Sequence, residues 1–115
     1  MSITQRGPPG QKKYANKKAS KVRASAQLEV CRLQISGVCN HNPETTVLCH
    51  IRAFGFAGVG QKPPDIFAVY GCSSCHAVLD DRSKWAEASL GWEDVLRAVF
   101  QTQLSLLDKG LIRYE

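Results

Sequence analysis

The sequence predicts a small α+β domain, stapled by a structural zinc ion and closed by a C-terminal packing helix. Three observations point there. Short apolar segments broken by turn signals fill the chain as far as Gly71, a C-x-x-C follows at Cys72 and Cys75 with two cysteines well upstream, and Glu93 to Asp108 is amphipathic at helical spacing. With 115 residues the chain has room for one domain and a modest core. A hydrophobic fraction of 43% and a charged fraction of 22% are ordinary for a globular protein. No apolar run approaches the roughly 18–20 residues that span a membrane, and no apolar leader of secretory type stands near Met1. The expectation is a cytoplasmic protein without a membrane partner, in a reducing compartment where thiols persist.

The elements follow in order. Residues 1–24 read as a basic arm, disordered to about residue 19, with Lys17 to Ala26 able to form a short helix, alone or on a bound partner. The net charge is +5, but Met1 to Arg32 alone carry +7 and the remainder −2. A basic arm on a near-neutral body suits a polyanion; a solvated tail is the plain alternative. Leu28 to Ile35 alternates apolar and polar, a strand signature, and Ser36-Gly37 turns the chain back toward Cys39. Asn42-Pro43 starts a turn that leaves His41 at the surface. Thr45 to Ile51 reads as a second strand and Asp65 to Tyr70 as a third. Between them, residues 53–64 hold three glycines and two prolines, an irregular loop that either merely connects or lets a phosphate approach with Lys62 as its contact. No G-x-x-x-x-G-K-[ST] is present, so a nucleoside-triphosphate loop is not expected. Cys72 to Asp80 reads as a knuckle running into a helix, which makes a β-β-α unit. In the last helix, Val95, Leu96, Val99, Phe100, Gln103, Leu104 and Leu107 share one face. Trp85 and Trp92 read as packing residues.

Five cysteines are an odd number, and in a reducing compartment a C-x-x-C points to metal before disulfides. Cys31 and Cys39 on the two arms of a tight turn, with Cys72 and Cys75, complete four thiolates, the donor set of a closed structural zinc site. His76 and Asp80 stand at i and i+4, on one face if the segment is helical, and suit a hard divalent cation such as Mg2+ or Mn2+. Hydrolysis of a phosphodiester needs a base for water and a cation against the developing charge. Imidazole is the side chain that exchanges a proton near neutral pH, which makes His50 the candidate base and Asp65 the carboxylate that would fix its ring. Taken singly, His50 can equally be a packed strand residue, Asp65 a turn acid and Asp80 a solvated helix residue.

The order Cys31…Cys39…His50…Asp65…Cys72-x2-Cys75-His76-x3-Asp80 resembles the HNH, or ββα-metal, endonucleases. It is more closely similar to the YbcO nucleases of phages and prophages and to the nuclease domain of the phage recombination protein Ref. The strings that carry the likeness are Gly37-Val38-Cys39-Asn40, Asn42-Pro43-Glu44-Thr45, His50-Ile51-Arg52, Lys62-Pro63-Pro64-Asp65 and Cys72-Ser73-Ser74-Cys75-His76, within a span from about Val30 to Arg82. The resemblance implies an HNH-like nuclease domain over residues 25–115 that cleaves DNA with one divalent cation. In it, His50 would be the general base, His76 a ligand of the catalytic cation and Arg52 a phosphate contact. A link to recombination, with a recombinase filament as partner, belongs to the same resemblance. The chain departs from the pattern where Cys49 precedes the base, where Asp65 replaces the middle asparagine and where Asp80 replaces the last histidine. The alternative is a zinc-stapled DNA-binding module without catalysis, and the C-terminal helix leaves monomer and homodimer open.

Overall fold

The computed structural model describes residues 17–53 and 63–114, with side chains from Lys21 onward. Among the described residues, four helices and two strands make up an α+β unit: α1 (Lys17–Ala24), β1 (Val47–His50), β2 (Ala68–Gly71), α2 (Ser73–Leu79), α3 (Trp85–Ala88) and α4 (Trp92–Asp108), with 3-10 turns at Pro43–Thr45 and Arg82–Lys84. The strands pair antiparallel, Val47 with Gly71, Leu48 with Tyr70, Cys49 with Val69 and His50 with Ala68. Because side chains alternate along a strand, the little sheet separates two cores. Leu48, Ala68 and Tyr70 meet Val22 and Ala26 from the α1 region and Leu106 from α4. Cys49 and Val69 face the larger cluster of the four remaining cysteines, Leu33, Val78, Trp85 and Val95. Among the described residues no helix is long and apolar enough to cross a membrane.

A free eight-residue helix is marginal in water, so α1 depends on docking. Val22 and Ala26 are buried, and Ser25 Oγ lies 2.8 Å from the Tyr70 hydroxyl. Burial of Val22 contributes about 1.5–3 kcal/mol to that docking. The boundary expected after residue 24 therefore falls at the end of a helix packed on the domain.

The alternation in Leu28–Ile35 does not make a strand. Leu28 and Gln34 have φ of 65° and 44°, in the left-handed region, and the segment winds as turns with one sheet-like bond, Arg32 N to Tyr70 O at 2.7 Å. Cys31, Leu33 and Ile35 still face inward as the pattern requires. Their period is that of a metal knuckle, with the Gln34 amide donating to Cys31 Sγ at 3.4 Å and both Val38 and Cys39 amides donating to Ile35 O.

The face of α4 also differs from expectation. Val95, Ala98, Thr102 and Leu106 are its buried residues, whereas Leu96, Phe100 and Leu104 are 52%, 55% and 62% exposed. Small residues at 98 and 102 let the helix lie close along the outer edge of β2. There Thr102 Oγ1 accepts from the Tyr70 amide at 3.0 Å and donates to Ala98 O at 2.8 Å. An unpaired strand amide in a dry core costs about 1–3 kcal/mol, and Thr102 on this face satisfies it.

Candidate functional site

Two clusters lie back to back along α2. The first is the thiol cluster: Cys31, Cys39, Cys72 and Cys75 place their four sulfurs within 4.8 Å of one another, with Cys72 and Cys39 Sγ at 3.8 Å. All four are free thiols. A tetrahedral zinc with Zn–S bonds of about 2.3 Å sets its sulfurs about 3.8 Å apart, so the donor set fits a closed structural zinc. Amides aim at the sulfurs as well: Gln34 N at Cys31 and Cys75 N at Cys72, each at 3.4 Å. Cys72 caps the N-terminus of α2 through that second bond. The Cys31 thiol is lowered, chiefly by its hydrogen bond with Cys75, and Cys75 is raised by the same bond. A dication that displaced the thiol protons would satisfy every sulfur at once. Asn40 braces the outside, its Nδ2 donating to Thr45 and Ser73 hydroxyls at 3.2 and 3.1 Å.

The second cluster opens on the cleft. His50 Nε2 lies 2.6 Å from Asp65 Oδ1, with side chains only 7% and 10% exposed. A carboxylate can only accept, so Nε2 carries the proton in this bond and Nδ1 is the atom left to take one. Asp65 is held from behind: Arg23 Nη1 donates to its Oδ2 at 3.4 Å, and Gln103 Nε2 fixes the following turn through Ile66 O at 2.7 Å. One turn apart on α2, His76 Nε2 and Asp80 Oδ2 are 3.0 Å apart and well exposed. One member of each pair, His50 and Asp80, lines a cavity of about 60 Å3, with Arg52, Arg82, Trp85 and Trp92 also in its wall.

A larger recess of about 230 Å3, walled by Ile51, Phe67, Trp92, Val95, Leu96 and Val99, offers no titratable group among the described residues.

Comparison with known proteins gives this arrangement its lineage. The family model described as "Putative nuclease YbcO" matches residues 20–111. The chain belongs to the YbcO family. "Putative nuclease YbcO" of Escherichia coli (strain K12) and "Putative nuclease ybcO" of Enterobacteria phage 82 are each 42% identical over 92 residues, which is 80% of this chain and 96% of the relative. A solved chain described as "Structure of a putative bacteriophage protein from Escherichia coli str. K-12 substr. MG1655" is 39% identical, with a TM-score of 0.62, over 78% of this chain and all of that one.

In this YbcO-family chain the expected site residues fall into three groups. The four cysteines come together, as do His50 with Asp65 and His76 with Asp80. Asp80 and Arg52 share the cavity wall with His50. Lys62 and most of the glycine-rich loop lie outside the described residues, as do residues 1–16. Cys49 is fully buried, its Sγ 3.7 Å from Gly71 O, and burial pushes its thiol up; it packs in the core and not in the cleft. Among the described residues no third His, Cys, Asp or Glu joins His76 and Asp80 as a metal cluster. Two residues carry no signal in the sequence. Arg23 reaches Asp65 across 42 positions, and Arg82 enters the cleft wall only because the turn after α2 folds back under the tryptophans.

Proposed function

We propose that the chain is a metal-dependent endonuclease of HNH type that hydrolyses DNA phosphodiester bonds, with His50 as general base. The observation that carries this reading is the buried 2.6 Å pair of His50 and Asp65, in which His50 lines a cavity together with Asp80 and Arg52. Asp65 fixes the ring and favours the imidazolium that forms as Nδ1 takes a proton from water. The water oxygen then bonds to phosphorus while the bond to the leaving ester oxygen breaks. Arg52 holds a non-bridging oxygen. His76 and Asp80 are the residues that would hold a divalent cation, which supplies charge neutralisation at the phosphate and at the leaving oxygen. The fit is good in type, since a carboxylate and an imidazole 3.0 Å apart on an exposed face suit Mg2+ or Mn2+.

The thiol cluster is read as a zinc staple that holds the Ile35–Cys39 turn against α2 and plays no part in the chemistry. The basic run of the arm serves as a track for the polyanion, and Arg23 at its end meets Asp65.

One observation favours a second reading, a zinc-stapled DNA-binding module without catalysis: His76 and Asp80 bond each other without a third ligand among the described residues. Supercoiled plasmid incubated with Mg2+ or Mn2+ separates the two. The native chain is expected to nick it and His50→Ala to fail. Equal nicking by both refutes the role of His50. No nicking by either, on duplex, single-stranded and branched DNA and with a recombinase filament present, leaves the binding module.

A further inference from the structure

We propose that Arg82 is a phosphate-binding residue of this cleft, held ready by two indole rings; the inference rests on the DNA-cleaving reading above. The guanidinium carbon sits 4.4 Å from the Trp85 ring centroid and 5.0 Å from that of Trp92. The two rings are themselves packed edge to face, 4.8 Å apart at 64°. Trp85 is buried, and its Nε1 donates to Leu79 O at 3.2 Å, so the platform is fixed to the C-terminal end of α2. Stacking of this kind uses the flat face of a guanidinium and leaves its edge of N–H donors available.

Among the described residues no ion pair joins those donors to a carboxylate, and Asp80 in the same cavity wall bonds His76. Arg23, Arg32 and Arg97 each hold a carboxylate, in Asp65, Glu29 and Asp94. Arg52 and Arg82, both in the cavity wall, hold none among the described residues. The adjacent acid is occupied elsewhere: Asp81 Oδ1 accepts from the Ser83 hydroxyl and from the Ser83 amide at 3.1 Å. Asp81 is thus committed to Ser83, and Arg82 keeps its charge for the cleft. An arginine that serves only to pack tryptophans does not need its edge open beside His50 and Asp80. One that receives a phosphate does, because a planar fork meets two phosphate oxygens at once and stacking fixes the fork beforehand.

The test is equilibrium binding of a fluorescent duplex to the His50→Ala chain, which cannot cut, across a salt series. Adding Arg82→Ala is expected to weaken binding and to lower the slope of log K against log salt by about 0.9, the loss of one phosphate contact. Arg82→Lys keeps the slope but binds more weakly, since an ammonium supplies charge without the fork. Arg82→Gln, which keeps the stem over the rings, repeats the slope change without loss of packing, and thermal melts identify any variant that fails to fold. An unchanged slope in folded Arg82→Ala and Arg82→Gln chains overturns the proposal. Failure of the His50→Ala chain itself to bind DNA would instead sink the nuclease reading beneath it.

Discussion

Replacing Asp65 by asparagine and by alanine separates what its charge does from what its hydrogen bond does. Oδ1 serves a buried imidazole at 2.6 Å, and Oδ2 serves a guanidinium at 3.4 Å whose side chain is 40% exposed. An asparagine has one acceptor oxygen and must choose. The exposed ion pair is worth about 0–1 kcal/mol, whereas a buried donor left unpaired costs about 1–3 kcal/mol. The amide oxygen therefore turns to His50, and the contact with Arg23 is given up. What Asp65→Asn loses is the difference between a charge-assisted bond and a neutral one, about 1–1.5 kcal/mol, or roughly tenfold in nicking rate. Asp65→Ala leaves the ring unheld and its Nε2–H unpaired. It should lose most of the general-base contribution, about 10²- to 10⁴-fold, together with about 1–3 kcal/mol of stability. Initial rates of plasmid nicking, with His50→Ala as the floor, and denaturant melts on the same preparations give both numbers. If asparagine proves as damaging as alanine, the charge itself is needed, as in a cation ligand, and the positioning argument fails. If alanine is harmless, the pair is idle.

Four further outcomes are expected. Elemental analysis should find one zinc per chain. Cys31→Ser and Cys75→Ser should lose it and with it cooperative unfolding, because structural zinc contributes about 10–16 kcal/mol in small domains whose whole stability is about 5–15 kcal/mol; Cys49→Ala should keep its zinc. His76→Ala and Asp80→Ala should raise the Mn2+ concentration needed for nicking while zinc content stays constant, and a drop in zinc would show that the two clusters are not separate. Gly71→Ala places a Cβ 2.9 Å from Cys49 Sγ and 3.3 Å from Leu33 Cδ1, an overpacking cost of about 1–3 kcal/mol. Cys49→Ala should relieve part of it, and strictly additive melts would refute the clash. Thr102→Val keeps the shape but strands the Tyr70 amide, so chemical denaturation should register a loss of about 1–3 kcal/mol.

What the sequence made legible was chemistry with a short-range signature. Cys72-x2-Cys75 announces a knuckle through its own spacing, and the four-thiol set follows from compartment and count. His50 and Asp65 stood out as a base and a carboxylate on neighbouring extended segments, and the antiparallel pairing of β1 and β2 brings them together. Alternation in Leu28–Ile35 was ambiguous for a physical reason: a knuckle that turns its cysteine and two aliphatic residues inward has the same period as a strand. The face of α4 was misread because hydrophobicity ranks Leu96 and Phe100 above Ala98 and Thr102, while close approach to β2 favours small side chains and a hydroxyl. Arg23 and Arg82 were invisible because nothing local distinguishes an arginine that will meet a buried acid or two indoles from one that will meet water.

Helix α2 has seven residues, with thiols at its beginning and the His76–Asp80 pair one turn later. That closeness governs how inhibition by a chelator should be read. A cation held by two exposed side chains exchanges quickly and returns when added back, whereas a four-thiolate ion leaves slowly and takes the set of α2 with it. The order of loss is thus a clock: activity that falls within the mixing time and recovers on adding Mg2+ reports the cleft, and activity that decays over hours and does not recover reports the staple. A single end-point treatment merges the two, so time after chelator addition is the variable that tells which metal has been lost.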